Sequence, residues 1–139
     1  MNDVETATYA KENGHPPVAA GVVLVDFDAT LREWGELFEF KPPLPGASEF
    51  LHWLKDEGYR VILFTSRLSI VWHTAEGRDP ARGVFEQVEF LRAYCDKYDL
   101  PFEGVTAEKV PSIAIIDDKA VEFRGDWGKA KRRFKMLVK

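Results

Sequence analysis

The stretch Val22-Val23-Leu24-Val25-Asp26-Phe27-Asp28-Ala29-Thr30-Leu31 governs the reading of the whole chain. Four aliphatic residues in a row, with no polar alternation, are the pattern of a strand buried on both faces, as in parallel sheets. Two aspartates follow at once, two positions apart and so on one side of an extended backbone. Such a pair is either a solvated strand end or the wall of a charged pocket that needs a cation.

Two more apolar runs of the same kind occur downstream. Val61-Ile62-Leu63-Phe64 leads into Thr65-Ser66-Arg67, and Ile113-Ala114-Ile115-Ile116 leads into Asp117-Asp118. Between the runs lie helical patterns. Ala47, Phe50, Leu51 and Leu54 fall at i, i+3, i+4 and i+7, with Gly58 as a stop, and Val84, Val88, Leu91 and Cys95 repeat the period. Thr30 to Gly46, ending in KPPLPG, reads as a loop, and Leu68 to Gly83 as irregular. Alternating strands and helices predict an α/β fold: a three-layer, Rossmann-like, mostly parallel sheet with helices on both faces. Ligands of such sheets sit beyond the carboxyl ends of the strands. All three strand ends here carry polar residues suited to one anionic substrate and one metal.

The bulk properties bound the rest. The 139 residues suit one domain, read as residues 20–139 behind a polar tail over 1–19. A formal net charge of −4 gives no overall attraction to nucleic acid. The single cysteine, Cys95, excludes an intramolecular disulfide, and its place on an apolar helical face makes it a core residue. No apolar run approaches the roughly 20 residues that span a bilayer, and the N-terminal stretch lacks a signal-type apolar segment. The expectation is a cytoplasmic protein with no membrane partner.

Asp26, Asp28, Asp117 and Asp118 gathered at one sheet edge would repel one another unless a cation sat among them. Hard oxygen donors, with no Cys or His at zinc spacing, favour Mg2+. Thr65 and nearby backbone amides suit phosphate oxygens, and a lysine nearby would neutralise charge that develops in the transition state.

These residues resemble the haloacid dehalogenase superfamily of aspartate-nucleophile phosphatases. Its first motif, a hydrophobic strand followed by DxDx[TV], matches Asp26-Phe27-Asp28-Ala29-Thr30. Its second, a strand ending in Thr or Ser, matches VILFT with Thr65, and its fourth, a strand before an acidic pair, matches IAIIDD with Asp117 and Asp118. For the third, a lysine ahead of that last strand, Lys109 is the best placed. KVPSIAIIDDKAVEFRGDW is also similar to the KPxAxxxIDDRAxxFxGxW ending of small bacterial and phage members, with Val110 in place of proline and Lys119 in place of arginine.

The resemblance implies a magnesium-dependent phosphatase that hydrolyses phosphate monoesters through an aspartyl-phosphate. Asp26 would attack phosphorus, Asp28 would serve as acid and then base, Thr65 would hold the phosphoryl group, and Lys109 would pair with it. Magnesium would be held by the Asp26 carboxylate, the Asp28 backbone carbonyl, Asp117 and Asp118. The spans between motifs leave no room for a large cap domain. Water exclusion would then come from a flap near Trp34 to Pro45 or from a neighbouring subunit in a homo-oligomer.

Several positions have two readings. Lys119 competes with Lys109, and Ser66 can replace Thr65. Arg67 either contacts substrate or forms a structural ion pair. Trp72 and His73 either touch substrate or pack locally, while His15 and His52 have no partner spacing. Lys129, Lys131, Arg132, Arg133, Lys135 and Lys139 either bind a polyanion or form the wet face of a helix whose buried side is Phe134, Met136 and Leu137. The substrate is accordingly a phosphorylated metabolite or nucleotide, or else a nucleic-acid end. The alternative to an enzyme is a non-catalytic domain of the same fold that binds phosphate ligands or a protein.

Overall fold

The computed structural model describes residues 21–139, so the tail read over 1–19, with His15, lies outside the described residues. The elements are β1 (Val22–Val25), α1 (Ala47–Asp56), β2 (Arg60–Phe64), a 3-10 turn (Ser66–Leu68), α2 (Ile70–Ala75), α3 (Pro80–Tyr98), β3 (Gly104–Thr106), β4 (Ala114–Ile116) and α4 (Trp127–Leu137). The strands form one parallel sheet in the order β3-β2-β1-β4. Leu24 pairs with Ile62 on one side and with Ile115 on the other. The architecture is the expected Rossmann-like three-layer α/β arrangement.

The uninterrupted aliphatic run of β1 has the predicted consequence, since all four of its residues are buried. Helices pack against the β1 and β2 side of the sheet and close one core around Val25, Phe27, Leu63, Leu91 and Tyr94, while β4 is largely exposed. The Phe27 ring meets Tyr94 edge-on, with centroids 4.9 Å apart, the arrangement that the aromatic quadrupole favours. In α1, Leu51 and Leu54 turn inward as their spacing requires, and Gly58 ends the turn beyond it at φ 89°, a conformation cheap only for glycine. Because β1 lies between β2 and β4, the strand order switches direction beside Asp26. A crevice forms at such a switch point.

Several elements differ from the expectation. Strand β3 was not among the expected strands, and β4, read as a buried run, has Ala114 and Ile115 exposed. The segment after Leu68 is not irregular throughout. Ser69 caps α2 by accepting from the Trp72 amide at 3.1 Å, and a short helix forms there. The buried stripe of α3 is Gly83, Gln87, Phe90, Leu91, Tyr94 and Cys95, rotated away from Val84 and Val88. The rotation places the Gln87 amide oxygen 3.0 Å from Arg67 Nη1. A buried guanidinium needs that partner more than the core needs two valines. Lastly, α4 buries none of its residues, so Phe134, Met136 and Leu137 are exposed instead of forming a buried side.

Candidate active site

Strand ends and tight turns place the acidic residues. The Asp26 amide donates to the Ile116 carbonyl at 2.9 Å, which carries the β1–β4 ladder one residue past the strand. Asp26 is thereby brought level with Asp117. The chain then reverses through Ala29, whose φ of 58° is left-handed, at a cost of about 1–2 kcal/mol for a residue with a Cβ. The turn is held by the Leu31 amide donating to the Phe27 carbonyl at 3.0 Å. It leaves Asp28 and Thr30 at the mouth of the sheet while Phe27 enters the core with no exposed surface.

One oxygen from each of Asp26, Asp117 and Asp118 lies within 4.8 Å of the other two. Burial pushes the Asp26 carboxyl up to about 7 from 3.8, and the Asp117 and Asp118 charges add to the rise against a lowering bond from the Phe27 amide. Three carboxylates this close, with no cationic side chain bonded to them among the described residues, have a donor set of hard oxygens that fits a small divalent cation. The cluster forms one wall of a cleft of about 410 Å³, lined also by Asp28, Thr65, Ser66 and Lys119. Thr65 is buried, and its Oγ1 accepts from the Arg67 amide at 3.2 Å. Asp117 Oδ1 accepts from the Lys119 amide at 2.8 Å, so the turn that offers the acid also offers the lysine.

Of the two lysines read as alternatives, Lys119 lines this cleft. Lys109 is exposed and lines a separate hollow beside Val110 to Ile115. Lys119 immediately follows the acidic pair, whereas Lys109 follows β3 by three residues.

Asp28 is not part of the carboxylate cluster. Its Oδ2 accepts from Arg67 Nε and its Oδ1 from Arg67 Nη2, both at 2.8 Å, a bidentate pair. Arg32 Nη2 adds a contact to Oδ1 at 3.3 Å. Burial raises the Asp28 carboxyl, but the bonds and charges of Arg67 and then Arg32 outweigh it and hold the group below its ordinary value. Both guanidinium groups sit on the Phe27 ring, at 5.1 Å for Arg32 and 5.0 Å for Arg67. Arg67 is thus an almost fully buried ion-pair partner that also lines a cleft beside Trp34 and Trp72.

These two arginines also organise the flap. Arg32 donates to the carbonyls of Glu36 and Glu39, and Arg67 to that of Leu37. The Tyr94 and Tyr98 hydroxyls donate to the Lys41 and Phe40 carbonyls. A loop without regular structure is in this way fixed by side chains from the core. Arg32 and Gln87 were missed in the sequence. The spacing of Arg32 four residues after Asp28 was one available signal, and a lone amide in an apolar helical stripe was another.

His73 packs locally. It is buried in α2, its Nε2 lies 2.7 Å from the Arg67 carbonyl, and its Nδ1 accepts from Arg78 Nε at 2.9 Å. Trp72 instead lines a second cleft of about 670 Å³ that adjoins the first through Asp28 and Ser66. His52 stands 3.0 Å from Asp99, away from either cleft. Cys95 is core as expected, and burial pushes its thiol up to about 12.

No family model matches the chain, and no curated protein matches it. The chain is similar to a solved structure of a conserved protein coded by a locus of Bacteroides thetaiotaomicron. The two are 24% identical over 84% of this chain and 88% of that one, with a TM-score of 0.48. No helix among the described residues is long and apolar enough to cross a membrane.

Proposed function

We propose that the protein is a magnesium-dependent phosphatase of phosphate monoesters that works through an aspartyl-phosphate, as its resemblance to the haloacid dehalogenase superfamily implies. The observation that carries the reading is the convergence of Asp26, Asp117 and Asp118 with Thr65 and Lys119 on one cleft at the sheet's switch point. Asp26, Asp117 and Asp118 would hold the magnesium, which offsets their mutual repulsion and neutralises phosphate charge. Asp26 Oδ attacks phosphorus, and the bond to the ester oxygen breaks with its electron pair going to that oxygen, which takes a proton from Asp28 or from water to leave as the alcohol. Thr65 donates to a phosphoryl oxygen, and Lys119 pairs with the charge that develops on the equatorial oxygens. Water then attacks the aspartyl-phosphate, which frees Asp26 and inorganic phosphate.

The Arg67 pair refines the part given to Asp28. Both its oxygens are already acceptors, so it suits the second half of the reaction, taking a proton from the attacking water. Donation to the leaving oxygen requires that one oxygen leave Arg67 and be protonated; otherwise that proton comes from water. The same observation favours a second reading, a domain that binds phosphate without turnover. Phosphate release from 4-nitrophenyl phosphate, with and without magnesium, separates the two. Turnover by the wild type that needs magnesium and is lost in Asp26→Asn supports the enzyme. Magnesium-dependent turnover retained in Asp26→Asn overturns the nucleophile, and binding of vanadate without turnover of a broad panel of esters establishes the second reading.

A further inference from the structure

The second cleft lies outside the carboxylate cluster, yet it opens directly onto the acidic cleft. It shares Asp28 and Ser66 with the acidic cleft, and two indoles, Trp34 and Trp72, stand in its lining. Trp34 is 69% exposed although it belongs to a loop that the core holds firmly. The carbonyls of Glu36, Leu37 and Glu39, just beyond it, are all taken by the buried guanidinium groups of Arg32 and Arg67. The backbone that presents this large aromatic side chain to solvent is thus held in place, so contact with it requires less ordering than contact with a free loop. Lys119 links the two clefts, since it lines the acidic one while its Nζ stands 5.8 Å from the Trp34 ring. Trp72, a residue of α2, carries the Arg78 guanidinium 4.4 Å from its ring.

Arg67 also lines this cleft, but its charge is taken up by the bidentate pair with Asp28, so the other charged residues of the lining set its preference. Glu36 and Glu39 border the cleft, and the Glu39 carboxylate is turned back to accept from the Glu36 amide at 3.0 Å. A second anionic group on the ligand would face these acids, and a neutral ring would not.

Resting on the phosphatase reading, we infer that the second cleft is a leaving-group subsite that selects phosphate monoesters whose alcohol carries a flat, uncharged aromatic or heteroaromatic ring, stacked on Trp34 and Trp72. The phosphate enters the acidic cleft beside Lys119, and the ring lies across Asp28 and Ser66 in the adjoining one. The ring contributes binding that is independent of the reacting atoms.

The test compares 2-naphthylmethyl phosphate with cyclohexylmethyl phosphate. Both are primary-alcohol esters, so the contrast reports ring shape and stacking more than leaving-group reactivity. The wild type should favour the flat ester in kcat/KM, and Trp34→Ala should lower that preference about tenfold, the size expected when one aromatic platform is removed. Trp72→Ala should lower it also, and Trp53→Ala, an exposed indole of α1 outside both clefts, should leave it unchanged. Equal use of the two esters by the wild type, or a preference untouched by both Trp34→Ala and Trp72→Ala, overturns the subsite while leaving the phosphatase standing. Should the wild type hydrolyse neither ester, the phosphatase reading fails for these substrates and the subsite is judged by binding. Perturbation of the Trp34 indole N–H resonance by 2-naphthylmethyl phosphate, lost in Trp72→Ala, supports it; no perturbation at millimolar ligand overturns it.

Discussion

Replacement of Asp26 by asparagine should abolish activity and at the same time stabilise the metal-free protein. The folded carboxyl is pushed up to about 7 from 3.8 by burial and by its acidic neighbours. The folded state therefore binds more protons than the unfolded one between those values. Stability is highest below about pH 4 as far as this group is concerned, and is lost as the pH rises toward 7. Taken at face value, the shift corresponds to about 4 kcal/mol. Asp26 is only half-buried, and Asp118 is exposed, so solvent screening reduces this to about 1–2 kcal/mol. Coulomb's law gives a similar scale, about 1 kcal/mol in water for two unit charges at 4 Å and severalfold more in a less polar setting.

Asparagine removes the charge but keeps an oxygen able to accept from the Phe27 amide, a bond of 2.8 Å. Urea denaturation in EDTA at pH 8 should then show Asp26→Asn more stable than the wild type by about 1–2 kcal/mol. The gap should close toward pH 4. Millimolar magnesium should raise the wild-type midpoint at pH 8 and leave the variant's nearly unmoved. An Asn variant less stable than the wild type at pH 8 in EDTA, or a wild-type midpoint indifferent to magnesium, would refute the argument that the three acids form a charged site awaiting a cation.

Other perturbations probe the surroundings of that site. Arg67→Met leaves Asp28 buried against Arg32 alone and should cost about 3–5 kcal/mol by denaturation; Arg67→Lys should recover only part, because an ammonium cannot make the bidentate pair. Asp28→Asn should destabilise at neutral pH, and the difference should shrink as the wild type is acidified below 3.8, through the lowered folded value of Asp28. Gly83→Ala, which in an ordinary helix gains about 1 kcal/mol, should instead destabilise by about 1–3 kcal/mol, because the new Cβ would stand 2.4 Å from His73 Nδ1; thermal melting decides the sign. Lys119→Ala should reduce phosphate release by about 100-fold or more, whereas Lys109→Ala should remain near the wild type in the same assay.

The parts of the molecule that were legible in the sequence are those whose information is local. A strand buried on both faces needs an unbroken apolar run, so β1 and β2 were visible as such, and the residue that follows a parallel strand lies at the ligand edge wherever the strand sits in the sheet. That made Asp26, Thr65 and Asp117 candidates without coordinates. The short strand β3, three residues beginning with glycine, lacks such a run and exists because β2 offers an open edge. Helix α2 was hidden because its six residues are too few for a period to emerge, and it is sustained by the Ser69 cap and by His73 packing under Arg67.

The amino-acid sequence by itself determined the α/β class, the acidic strand ends and the oxygen chemistry, since each depends on residue type and spacing along a few neighbours. Only the tertiary structure decided which lysine faces the cleft, that Asp28 is gripped by two buried arginines, and that Trp34 and Trp72 share a second cleft. Asp28 and Arg67 are 39 positions apart along the chain yet meet at 2.8 Å. Pairings over that separation follow from how the flap, the 3-10 turn and α3 pack together, for which no periodicity exists to be read.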